Sequence, residues 1–220
     1  MITVREKHRL QALFSGANLD SAHLSINTML AVKLENKSDR WHGVVVDSER
    51  RRIRFRVVVV PSEAPTPVTI DLGTMSPAST FTVSGDAVLL LTVSNSINRY
   101  AVRISKFGDT LLDNKMLQRG QFFSLRLFRP GVHELRDRRT GAKCDVTVEY
   151  PIPGQALSTS PDAAVLKLRR GTFFPPEIRV APTRPVTVNV DDGSHITTVL
   201  TAITDRIGGS LVTKKLTSRD

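Results

Sequence analysis

The feature that most constrains this chain is the alternation of apolar and polar side chains over residues 121–150, Gln-Phe-Phe-Ser-Leu-Arg-Leu-Phe-Arg-Pro-Gly-Val-His-Glu-Leu-Arg-Asp-Arg-Arg-Thr-Gly-Ala-Lys-Cys-Asp-Val-Thr-Val-Glu-Tyr. Apolar residues recur at Phe123, Leu125 and Leu127, at Val132 and Leu135, and at Val146 and Val148. Side chains alternate faces along a strand, so a period of two predicts strands buried on one side. Pro130-Gly131 and Thr140-Gly141 mark the turns between them.

The rest of the chain reads the same way. Residues 1–23 hold Leu10, Leu13 and Phe14 near helical spacing and predict a short helix or a terminal arm. Strands are expected over 29–34, 41–46 and 52–57. Pro61, Pro65, Pro67 and Pro77 make 61–80 a loop with one short strand at 68–72. Residues 81–150 read as a complete small sandwich. A second linker, 151–162, is marked by Pro151, Pro153, Gly154 and Pro161. Residues 163–220 add further strands. The expectation is an all-β protein of two sandwich units, one over 81–150 and one assembled from 24–80 plus 163–220. A half sandwich leaves an open hydrophobic face, so the latter segments must pair within the chain or with a second chain.

Three segments share one pattern of strand, short polar turn, aromatic residue or His, and strand. They are 32–36 with 41–44, 91–95 with 100–102, and 186–190 with 195–197.

The strand, the Pro130-Gly131-Val132-His133 corner, the 136–143 loop and the last strand resemble the closing part of a cupredoxin, a Greek-key β-sandwich. Phe174-x-Pro176-x-Ile178-x-Val180, followed by Val188-Asn189-Val190-Asp191 and His195, is similar to the opening half of the same family. The resemblance implies a type 1 copper site of one Cys, two His and an axial Met, a soft ligand set suited to copper. Here the first ligand position is Tyr100, and the loop from Arg136 to Lys143 holds no Cys, His or Met. Cys144 follows that loop, and only His195 matches a ligand, as a weak metal candidate. The expected cofactor is therefore none.

Net charge is +10, with 31 Lys and Arg against 21 Asp and Glu, and this favours acidic partners. Arg52, Arg54 and Arg56 share one face of a strand whose other face is Ile53, Phe55 and Val57. Such a row grips anions, or it protects a sheet edge from aggregation. Arg136, Arg138, Arg139 and Lys143 stand where a copper loop would be, and Arg50, Arg51 and Arg52 form a second cluster. Together with Arg54 and Arg56 these nine are the candidate binding residues for an anionic partner.

No phosphate loop, nucleophile elbow or paired catalytic His occurs, so the chain is read as no enzyme. The expected function is a binding or structural subunit with a cupredoxin-like fold that has lost copper and meets a protein partner or copies of itself. Alternatives are a copper electron-transfer protein and a basic jelly-roll coat or nucleic-acid-coating protein. No apolar run reaches the roughly 20 residues of a transmembrane segment. The charged start of the chain is unlike a secretory leader. At face value the chain is cytoplasmic, or extracytoplasmic if a leader was removed.

Overall fold

The computed structural model describes residues 18–94, 98–150, 162–191, 193–207 and 210–216. The expected terminal arm up to residue 17 and the linker over 151–161 lie outside them. Among the described residues there are seventeen strands and no helix, as the alternation predicts.

The strands form three sheets. The largest contains β1 (Thr28–Lys33), β4 (Val68–Asp71), β6 (Val88–Thr92), β9 (Gln121–Arg126), β12 (Ala164–Arg169), β13 (Thr172–Phe174) and β15 (Pro185–Val190). Its order is β13-β12-β15-β9-β1-β6-β4. A five-stranded sheet contains β2 (Asp39–Asp47), β3 (Arg52–Val60), β5 (Thr80–Ser84), β7 (Tyr100–Lys106) and β8 (Asp109–Asp113), in order β5-β3-β2-β7-β8. The other contains β10 (Gly131–Asp137), β11 (Lys143–Val148), β14 (Glu177–Val180), β16 (Ile196–Ile207) and β17 (Ser210–Lys215), in order β14-β11-β10-β16-β17.

The two halves of the chain repeat one pairing scheme. β1 runs antiparallel to β6, as β9 does to β15. β4 is parallel to β6, as β12 is to β15. β2 lies between β3 and β7, as β10 lies between β11 and β16. β5 adds in parallel to β3, as β14 adds to β11. Four residues before β1, Leu24 exchanges backbone hydrogen bonds with Tyr100; four residues before β9, Leu117 does so with Ser194. The halves meet where β1 pairs antiparallel with β9, with Leu30 opposite Phe123, Thr28 opposite Leu125 and Val32 opposite Gln121. Leu30 and Phe123 hold equivalent places, so a pseudo-two-fold axis passes through that pair.

Side chains of directly opposed residues share a face of a sheet. Leu30, Leu91, Phe123, Val188 and Leu166 therefore lie on one side of the large sheet, and all are fully buried. They join Val45, Phe55, Val57, Val102 and Ile104 of one small sheet in a single core, together with Leu135, Val146, Val148 and Ile196 of the other. Both small sheets thus cover the same face of the large one, a sandwich-like arrangement.

The pairing corrects the expected division of strands. Those of 81–150 do not close on one another: β6 joins β1 and β4, β5 and β7 join β3 and β2, and β11 and β10 join β14 and β16. Among the described residues, no strand of 24–80 pairs with a strand of 163–220. The repeat boundary falls instead between β8 and β9. Alternation tells which face of a strand is buried, not which strand lies beside it. Of the three similar segments, the second and third are equivalent steps, β6 to β7 and β15 to β16. The first is a different step, β1 to β2.

Candidate anion-binding face

Each half carries an Arg-rich hairpin built on a buried aspartate. At the end of β2, Asp47 Oδ1 accepts the backbone N–H groups of Glu49 and Arg51, and Oδ2 accepts Arg51 Nε at 2.7 Å. Burial opposes ionisation of Asp47, but the Arg51 guanidinium and these N–H donors hold its carboxyl below the usual range. The three-residue loop turns through Arg50 at φ 63°, the left-handed position this hairpin length requires. At the end of β10, Asp137 is fully buried and accepts N–H groups of Arg139, Thr140 and His195 and the Thr140 hydroxyl. This loop is one residue longer and closes through Gly141 at φ 76°.

The hairpins border the same N-terminal segment. Asp47 is opposite Tyr100, which pairs with Leu24. Asp137 is opposite Ile196, whose carbonyl accepts the Ser21 N–H. Ser21 to Leu24 spans at most about 11 Å. The clusters at 50–52 and 136–143 are therefore near one another, as the equivalence of the hairpins dictates. Not all of their charge is free. Arg51 is held by Asp47 and Glu49, and Lys143 by Glu134 at 2.7 Å.

The row on β3 has a different character. Arg52, Arg54 and Arg56 are exposed on the outer face of their sheet, and none makes an ion pair among the described residues. Directly across on β2 stand Val46, Val44 and His42. Arg40 continues the basic face opposite Val58. Arg103 of β7, opposite Val44, donates to Thr110 Oγ1 at 3.3 Å and faces Asp113. β3 is not an edge, because β5 pairs with it from Arg56 to Val60. Next to the row, His42, Val44, Arg54, Arg56 and Ala78 surround an open depression of about 620 Å³. Its floor includes Gly43 and Phe55. A Cβ at Gly43 would lie 2.1 Å from the Phe55 ring, so the glycine is what lets that ring fit beneath β2.

The matching face of the second half is charge-balanced. Where the first half sets Val46 against Arg52 and Val44 against Arg54, β10 and β11 set Arg136 against Lys143 and Glu134 against Asp145. Glu177 stands beside Asp145 on β14.

The residues aligned with copper ligands serve the fold. Tyr100 is buried and stands against the 47–51 hairpin, not the 136–143 loop. His195 is the residue beside that loop; its N–H binds Asp137, and its carbonyl accepts the Arg138 N–H. His195 Nε2 lies 2.6 Å from Asp20 Oδ1, and His23 Nδ1 lies 3.5 Å from Asp20 Oδ2. Burial works against ionisation of Asp20, but His195 and the Ala22 N–H keep its carboxyl below the usual range. Among the described residues no group of three or more His, Cys, Asp and Glu could hold a metal ion. His133 is buried, donates Nε2–H to the Arg129 carbonyl at 2.9 Å and is pushed towards its neutral form by burial. Cys144 is buried, and burial with the charges of Asp145 and Glu177 pushes its thiol up to about 12. It stays protonated and is a poor nucleophile.

Sequence reasoning missed Arg40, His42 and Arg103 as neighbours of the β3 row, because cross-strand register is needed to place them. It missed Asp20, and with it the neighbouring His23, because the Asp20 partner His195 lies 175 residues along the chain. No protein-family model, no curated protein and no solved structure matches this chain.

Proposed function

We propose that this chain is a non-enzymatic binding or assembly subunit that holds an anionic partner on the outer face of the β5-β3-β2-β7-β8 sheet. The observation that carries this reading is the exposed row of Arg52, Arg54 and Arg56, extended by Arg40, without an acidic partner among the described residues. The equivalent face of the other half carries Glu134, Asp145 and Glu177 among its cations. A charge excess confined to one of two matched surfaces is a local feature and not a general means of solubility. Loss of an unpaired arginine removes attraction to an anion without leaving a buried charge behind.

The cupredoxin-like reading, made for 81–150 with a partial likeness over 171–202, belongs to the same proposal, with the order of its parts permuted. In the second half the closing strands β9 to β11 precede the opening strands β12 to β16, and His195 lies against the loop that carries the remaining ligands in that family. That loop offers Arg138, Arg139, Thr140 and Lys143 in place of Cys, His and Met, which supports adhesion over electron transfer.

The test is binding of long-chain polyphosphate across a salt series. Polyphosphate is expected to bind with a negative slope of log affinity against log salt. Replacing Arg52, Arg54 and Arg56 by Gln should weaken binding and flatten the slope while the thermal midpoint is retained. A triple variant that binds as tightly, with the same slope, sinks the proposal.

A further inference from the structure

We infer that the partner of this face is a single-stranded nucleic acid, its phosphates following the β3 row and a base entering the depression beside it. This rests on the anion-binding reading above and adds the ligand class. Alternate residues of a strand are about 7 Å apart, so Arg52, Arg54 and Arg56 form a line of about 14 Å. Arg40, across β2 and past Arg56, lengthens it. A line of cations matches a linear polyanion better than a compact one.

The depression decides which linear polyanion. Val44 and Ala78 give it apolar walls above the Gly43 and Phe55 floor, between two unpaired arginines, and His42 stands at its rim. Ala78 is fixed there, its N–H donating to the Arg54 carbonyl at 2.8 Å. A polyphosphate has no apolar part to place in such a site, whereas a nucleotide has a base. Bases unstacked from a single strand lie on imidazole rings and on guanidinium planes, and both are present here. In a duplex the bases are already stacked inward, away from an open sheet face. Phe107 is exposed in the turn between β7 and β8 at one end of the sheet, and no other Phe, Tyr or Trp of this sheet is exposed among the described residues. Along the row, recognition is therefore by backbone charge and one base, with little sequence preference.

Three probes and one further variant test this: a short oligothymidylate, an abasic strand of the same length and polyphosphate, measured against wild type and Val44→Lys. Wild type should bind the oligothymidylate about tenfold more tightly than the abasic strand, the worth of one base contact. Val44→Lys fills the depression but adds a cation. It should weaken the oligothymidylate and strengthen polyphosphate. Equal affinity for the abasic and base-bearing strands, or a Val44→Lys change in the same direction for both polyanions, overturns the nucleic-acid inference and leaves the anionic face standing. Failure of the wild type to bind any of the three overturns both.

Discussion

The two halves of this molecule share every strand pairing but that of β12 with β13, and they differ most on the surfaces turned away from the core. Arg54 occupies the place of Asp145, and Val44 that of Glu134. At the far end of the sheets a cross-strand ion pair changes its sense: Asp39 binds Lys106 in the first half, while Arg129 binds Asp205 in the second. Inside, the differences compensate. Gly43 opposite Phe55 corresponds to His133 opposite Val146, a small residue facing a large one in each case but on exchanged strands. The inward positions are bound together by volume, since a packed core tolerates swaps that conserve it. The outward positions have no such constraint and differ in charge, as Arg54 and Asp145 do.

The first way to break the comparison is at that interior pair. Gly43→Ala drives a methyl into the Phe55 ring and should lower stability by about 3 kcal/mol, read from urea unfolding. In a Phe55→Val background the same change should have less than half that effect. Equal effects in both backgrounds would mean that the volumes are not coupled. Next in size, Val44→Glu with Arg54→Asp gives the first half the charge pattern of the second. Polyphosphate affinity should fall by about a hundredfold, equivalent to 2.7 kcal/mol, with an unchanged unfolding midpoint. The mirror changes, Glu134→Val with Asp145→Arg, should raise affinity.

Asp137→Ala should cost about 2 kcal/mol, because it strips the acceptor from three backbone N–H groups. Exchange of the Arg139 and Thr140 amides with deuterium would report the loss locally.

The smallest effect concerns Asp20, four residues before Leu24 as Asp113 is four before Leu117; each accepts the N–H two residues on, and Asp20 also meets His195. Its folded value lies below the ordinary 3.8, so its contribution is complete above that pH and disappears as pH falls through the lower folded value. Asp20→Asn should remove about 1 kcal/mol at neutral pH and make unfolding less pH-dependent below about pH 4. An acid limb identical to the wild type would assign the dependence elsewhere, with Asp39, Asp47 and Asp71 the other lowered carboxyls.

Much of this was legible beforehand, for a physical reason. Phe123, Leu125, Val146 and Val148 point inward because alternation follows from strand geometry alone. The basic row on β3 was legible for the same reason. The match of 91–102 with 186–197 also survived, since equivalent steps between sheets need the same strand-turn-strand pattern. Sheet membership was not legible. β1 and β9 pair across some ninety residues, and nothing in either strand names the other. The depression was equally hidden, because Ala78 comes to it from the loop before β5.

The axis through Leu30 and Phe123 has a further consequence. Cut between β8 and β9, either half would expose a bare strand edge, and an identical copy could fill it in the register now seen. The chain thus amounts to a homodimer written into one polypeptide. In a true homodimer every substitution appears twice, and an arginine row on one member is an arginine row on both. Covalent tandem linkage removes that restriction, leaving one half free to acquire a charged surface while the other remains its neutral support.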